Sequence, residues 1–183
     1  ILMEFRPTAL AGVVEIRPEV VRDARGAFVR TFCARTFAEQ GMELPTAQMA
    51  LSHNLQRGTL RGLHVIPEAV GEAKLVRCVR GGIFDVAVDL RPNSPSFGRW
   101  TGVELTADNY LALFLPRGVA HGYLTLTDAA EVAYQFSAFH RPGLEKGIRW
   151  DDPDIAVAWP FAPTVLSDRD RNLPALADSE FAP

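Results

Sequence analysis

Cysteine, histidine and long apolar runs are all scarce in this chain. Of 183 residues only 2 are cysteine, Cys33 and Cys78, in unlike contexts. Two isolated thiols argue against a secreted disulfide scaffold and suit a reducing cytosol, so a cytoplasmic location is expected. The 4 histidines show no paired Cys or His spacing, which argues against a structural zinc module. No stretch nears the roughly eighteen apolar residues of a membrane span. The opening "ILMEFRPTALAG" has no charged segment ahead of a long apolar one, so it reads as lacking a signal peptide, with Met3 as the natural start. Lys and Arg number 19 against 22 acidic residues, for a net charge of −3. They form no basic run or arginine-rich arm, so a nucleic-acid partner is not expected. An anionic ligand would have to be held by a few local arginines.

What is present is the balance of a soluble globule: 48% hydrophobic and 22% charged residues, enough to bury a full core. The length favours one domain over residues 1–183. "GVVEIRPEVV", "RDARG" and "AFVRTF" read as strand, turn, strand, and "CARTFAEQG" as one short helix closed by Gly41. Beyond "MELP" the pattern is β-rich. "AKLVRCVRGGIFDVAVDLR" reads as two strands of a hairpin turning at Gly81-Gly82. Within it Phe84, Val86, Val88 and Leu90 alternate with Ile83, Asp85, Ala87 and Asp89, the period of a half-buried strand. Short strands continue through "RWTGVELT", "YLALFLP", "HGYLTLT" and "EVAYQFS", a spacing that predicts an all-β sandwich or barrel. The Pro-, Trp- and Asp-rich tail after residue 140 is expected to wrap that barrel.

Chemistry concentrates in "RGTLRGLHVIPEAVGEAKLVRC". Arg61 and His64 are three apart and face opposite ways on a regular strand; a bulge at Gly62 would bring them to one side. On spacing alone His64 reads equally well as a hydrogen-bonded core histidine. In "LPRGVAHGYL" the Pro116-x-Gly118-x-x-His121 pattern is a tight turn feeding an inward histidine, as in the second motif of cupin barrels. A metal cupin also needs a His-x-His pair and a downstream glutamate, whereas here Val65 and Ile66 follow His64. Two isolated histidines do not supply three or four ligands, so neither metal nor cofactor is expected. A cavity holding His, Lys, Tyr and carboxylate suits proton transfer. Histidine serves as base, lysine steadies a developing oxyanion, and Tyr134 of "EVAYQFS" returns a proton from the far wall. Tyr134 reads equally as a core tyrosine.

Taken in order, "GTLRGLH", "EAKLVRCVRGGIFDVAVDLR", "SPSFGRW", "LPRGVAHGYLTL", "AEVAYQFS", "EKGIRWDDPDI" and "VLSDRDRN" resemble the dTDP-4-dehydrorhamnose 3,5-epimerase family across about residues 13–172. The resemblance implies a metal-free cupin jelly roll with a few short helices, its N-terminal strands exchanged in a homodimer. It also implies action on a 4-keto-6-deoxyhexose carried on a nucleoside diphosphate. It implies His64 as general base, Asp170 as the carboxylate orienting it, Lys74 as enolate stabiliser and Tyr134 as general acid. Arg61 and Arg25 match diphosphate ligands, Arg25 reaching the partner subunit. His121, Glu145 and Arg169 match substrate contacts, Arg169 standing where lysine is usual. Gln48 matches a base-contacting glutamine, Phe139 or His140 the family's tyrosine pair, and Phe28 and Arg30 of "AFVRT" the nucleotide end.

The periphery departs from the pattern. Arg30 stands where a glutamate is usual, Ile66 for a glutamine, Ala50 for an asparagine and Gln135 for a lysine. Epimerisation at C3 alone, another nucleotide, a metal-dependent cupin enzyme and a catalytically silent binder remain the alternative readings.

Overall fold

The structure, a computed structural model, describes residues 2–183; Ile1 lies outside them. Two antiparallel sheets face each other. The first runs, in spatial order, β1 (Met3–Pro7), β2 (Val14–Pro18), β10 (Ala112–Leu115), β7 (Lys74–Arg80), β12 (Ala130–Phe136) and β5 (Gln48–Asn54). The second runs β13 (Lys146–Gly147), β6 (Leu60–Val65), β11 (Val119–Thr125), β8 (Gly82–Asp89) and β9 (Trp100–Thr106). Among the described residues a separate hairpin, β3 (Val20–Asp23) with β4 (Gly26–Val29), pairs with neither sheet. Helices α1 (Ala34–Glu39) and α2 (Asp168–Arg171) are short. The expected all-β jelly roll is present, and α1 ends just before Gly41 as its sequence predicts.

Among the described residues three apolar cores follow from this layering. Val76, Cys78, Leu113, Val132, Ile83, Leu105 and Tyr123 interdigitate between the sheets. Ile16, Leu75 and Phe114 on the outside of the first sheet are covered by Phe37 of α1 with Met42 and Leu44. Val86, Val88 and Leu90 on the outside of the second are covered by Ile148, Ile155 and Leu176, with Trp159 and Phe181 beside them. Burying each such side chain contributes roughly 1.5–3 kcal/mol.

Two strand expectations need correction. β7 and β8 do not pair; they lie in different sheets, and Gly81 (φ +70°) carries the chain from one to the other. A Cβ at Gly81 would sit 2.1 Å from Thr127 Oγ1, so the crossover requires glycine for space as well as for its φ. Nor is β8 half-buried: the wrapping tail covers its outer face, so both alternating sets are inside.

The tail is locked by Asp152, whose carboxylate accepts the backbone N–H groups of Asp154, Ile155 and Leu176. The start of the chain is locked by Asp89. That carboxylate takes Arg91, Ser94 and Ser96, while Arg91 also donates to Ala11 O and Ser96 accepts from Ala11 N–H. Burial pushes the Asp89 carboxyl up, but these hydrogen bonds outweigh it and bring it down to about 2. A depressed carboxyl stabilises the fold above its unfolded pKa near 4 and loses that contribution as pH falls toward 2. Asp89→Asn is therefore expected to lower stability at pH 7 by about 2 kcal/mol, and the gap from wild type should close between pH 4 and 2 in denaturant titrations.

Candidate active site

His64 and Arg61 share the inner face of the second sheet because β6 is bulged. Opposite β11, His121 pairs with His64 but Tyr123 pairs with Arg61, so β6 carries one residue more than its partner there. Gly62 (φ +126°) takes up the irregularity, and a Cβ on it would lie 2.6 Å from Gly122 Cα. His64 Nε2 lies 2.6 Å from Asp170 Oδ1, closing a pair 106 residues apart in sequence. Asp170 is set by α2, where its N–H donates to the Ser167 hydroxyl, and its other oxygen accepts from Gly62 N–H. Burial pushes the Asp170 carboxyl up, but the His64 hydrogen bond, its charge and the Gly62 N–H more than reverse this and hold it below the usual range. The imidazole is thus pinned through Nε2, leaving Nδ1 as the edge with no hydrogen bond and Glu145 Oε1 3.9 Å away. Arg169 Nη2 holds that glutamate at 2.6 Å.

On the facing sheet Lys74 and Tyr134 project inward from β7 and β12. Lys74 is 8% exposed, with Nζ 3.5 Å from Glu72 Oε1. Burial raises the Glu72 carboxyl above its ordinary value, against the pull of Lys74. Tyr134 sits edge-on to His121, ring centroids 6.0 Å apart, and flat against Phe136. Burial, then Tyr123 and Asp85, hold its phenol well above the ordinary tyrosine range, with Arg61 opposing. At neutral pH the Tyr134 hydroxyl keeps its proton. His121 is cross-strand neighbour to His64 and ring neighbour to Tyr134, so the three link one sheet to the other.

Sequence reasoning missed four partners. Asp85 is fully buried and binds His121 Nε2 at 2.6 Å, a second His–carboxylate pair. Its Oδ2 has no hydrogen-bond partner, and burial raises its pKa against the pull of His121. The signal is visible in the sequence: Asp85 is a carboxylate between Ile83 and Ala87 on the inward set of β8, which also ends on a carboxylate, Asp89. Glu72 beside Lys74 is the second. Asn54 and Tyr123 complete the set: Arg61 Nε donates to Asn54 Oδ1 at 2.8 Å, which also accepts from the Tyr123 hydroxyl at 3.2 Å. Among the described residues no three His, Cys, Asp or Glu side chains group as a metal site.

The nucleotide-end candidates are brought together only in part. Gln48 Oε1 accepts His140 N–H at 3.2 Å, and Phe139 beside it is 71% exposed. Arg25, Phe28 and Arg30 do not join His64 within the chain. Their hairpin stands apart, Arg25 pairing with Asp23 and Phe28 left 65% exposed.

A jelly roll with a carboxylate-backed imidazole on one wall and a neutral phenol plus a buried lysine on the other defines a class: an acid–base enzyme able to remove a proton from one face of a carbon and return it to the other. The family model for dTDP-4-dehydrorhamnose 3,5-epimerase matches residues 7–178. The dTDP-4-dehydrorhamnose 3,5-epimerase of Methanothermobacter thermautotrophicus is 44% identical over 97% of this chain and 98% of its own. The dTDP-4-dehydrorhamnose 3-epimerase of Streptomyces niveus is 40% identical over 98% and 87%. Among solved structures, NovW, a 4-keto-6-deoxy sugar epimerase from the novobiocin gene cluster of Streptomyces spheroides, superposes with a TM-score of 0.92 at 40% identity, covering 97% of this chain and 89% of that one. The chain belongs to the dTDP-4-dehydrorhamnose 3,5-epimerase family of isomerases. Among the described residues no helix is long and apolar enough to cross a membrane.

Proposed function

We propose that this chain, acting as one catalytic unit, epimerises a nucleoside-diphosphate 4-keto-6-deoxyhexose at C3, or at C3 and C5. The observation that carries the reading is His64, pinned to Asp170 at 2.6 Å through Nε2 with Nδ1 left 3.9 Å from Glu145 Oε1, on the sheet that faces the protonated Tyr134. The ketone at C4 acidifies the hydrogens on C3 and C5. His64 Nδ1 takes one as a proton, and the C–H electron pair moves into the enolate. Lys74 Nζ stabilises the enolate oxygen in a site where little water competes. Tyr134 then gives its phenolic proton to the opposite face, and exchange with solvent resets both groups. Asp170 keeps the imidazole oriented and stabilises its protonated form.

Arg61 and Arg25 bind the diphosphate, a guanidinium fork matching two phosphate oxygens at once. Gln48, Phe139 and His140 receive the base, with Phe28 and Arg30 at the nucleotide end. His121, Glu145 and Arg169 contact the sugar. Arg25 and Phe28 reach a site only from a neighbouring copy, so the working form is a homodimer exchanging the β3–β4 hairpin. The unpacked hairpin supports this, as do the exposed Met49 (68%) and Leu51 (59%) on the edge strand β5. A monomer by light scattering at assay concentration would contradict it.

Incubation with dTDP-4-keto-6-deoxyglucose should yield a sugar inverted at C3, or at C3 and C5, by NMR. Unchanged sugar at stoichiometric enzyme would overturn the reading. Asp170→Asn is expected to lower kcat about 10²–10⁴-fold, as when a base loses its orienting carboxylate, with binding of dTDP within threefold of wild type. Wild-type kcat in that variant would remove Asp170 from the pair.

A further inference from the structure

We propose that Phe136 is a specificity-determining positioning residue that sets the tilt of Tyr134, and through it the ratio of inversion at C5 to inversion at C3. The proposal rests on the epimerase reading above. Phe136 follows Tyr134 by two on β12, so both project to the same, inward face. Its ring lies flat on the Tyr134 ring, 5.5 Å between centroids and 8° between planes. On another side Tyr134 meets the edge of His121 at 6.0 Å and 82°, and His121 is itself held by Asp85. Among the described residues Phe136 belongs to none of the three apolar cores. It pairs instead across strands with Lys74 and Gln48, among the polar residues of the cavity, and Lys74 Nζ lies 5.8 Å from its ring centroid. Tyr134 is therefore held by the core residue Tyr123, which hydrogen-bonds to it, by the edge of His121 and by the flat face of Phe136, the one contact that lies parallel to its ring.

The chemistry makes this grip selective. C3 and C5 flank the same ketone, so the enolate oxygen at Lys74 is common to both inversions, and one imidazole serves as base for both. Base and donor each have to reach both carbons, but the imidazole is pinned by Asp170 at 2.6 Å, whereas the Tyr134 ring takes its orientation from the side chains packed on it. An error of about 1 Å in placing a reacting group costs about 10²-fold, so the tilt of the Tyr134 ring is the variable that separates C5 from C3. A flat neighbour fixes tilt, because offset stacking prefers parallel planes.

The test compares solvent deuterium incorporated into inverted product at C5 and at C3, from dTDP-4-keto-6-deoxyglucose, for wild type, Phe136→Ala, Phe136→Leu and Phe136→Tyr. The alanine and leucine variants are expected to change the C5-to-C3 ratio at least about 10-fold, and the tyrosine variant, which keeps a flat ring, to stay within about twofold of wild type. Leucine preserves apolar bulk, so it carries the test if alanine fails to fold. In a Tyr134→Phe background the same substitutions should no longer move the ratio, since coupled residues are not additive. A ratio unmoved in both Phe136→Ala and Phe136→Leu overturns the proposal. So does loss at C3 and C5 in equal proportion, which would place the effect on Lys74, and so does a shift that persists without the Tyr134 hydroxyl. Absence of inversion in the wild-type reference would instead strike the epimerase reading itself.

Discussion

Replacing His64 with alanine is expected to abolish exchange of the sugar's α-hydrogens with deuterated solvent, a loss of at least about 10²–10⁴-fold, the range that a positioned general base contributes. Glu145 is the carboxylate nearest the Nδ1 edge, and Arg169 holds it at 2.6 Å, which makes it a poor substitute base. Asp170 lies behind the imidazole, engaged with Gly62 N–H, and cannot replace it at the substrate. His121, the remaining cavity histidine, is tied to Asp85 and stands nearer the Tyr134 wall. Binding of dTDP should persist, because the residues proposed to hold the diphosphate and the base are other side chains. Exchange at the wild-type rate would show that another group removes the proton.

Tyr134→Phe separates the two halves of the reaction. The substitution removes one oxygen and leaves the ring contacts with Phe136 and His121 available. Deuterium should still enter the sugar, since His64 can return a solvent-derived deuteron to the face from which it took the proton. Inverted product should fall about 10²–10⁴-fold, with C5 affected most. The raised pKa bears directly on this. A buried phenol that keeps its proton across the neutral range is a standing acid, and burial is the chief reason that it does. Equal loss of exchange and inversion would remove Tyr134 from the role of opposite-face donor.

Much of the β architecture is legible in the residue pattern, because alternation and turn chemistry are local. Sheet membership is not. Gly81-Gly82 marks a reversal in either arrangement, and only the pairing of β7 with β10 and β12, and of β8 with β9 and β11, shows that the chain changes sheets there. The burial of Phe84, Val86 and Val88 depends on a tail some sixty residues later, which no window around β8 contains. The bulge at Gly62 was readable, since Arg61 and His64 share a face only if an extra residue is accommodated.

The site divides the same way. Spacing brought His64, Lys74 and Tyr134 to notice, but their chemistry was open between core and cavity until the family resemblance joined His64 to Asp170. The partners that escaped notice, Asp85, Glu72, Asn54 and Tyr123, act through side chains on neighbouring strands or, for Glu72, beside Lys74. Their relevance appears only once those neighbours are known. Arg25 shows the reverse case: the motif points to a ligand contact, yet the single chain leaves its hairpin unpaired with either sheet.

The central claim is that one wall takes a proton and the other returns it. Its most direct test is to run the wild-type reaction with dTDP-4-keto-6-deoxyglucose in deuterated water and read each inverted carbon by mass and NMR. One solvent deuterium at every inverted carbon is the predicted result; an inverted carbon that retains its original hydrogen would contradict the account.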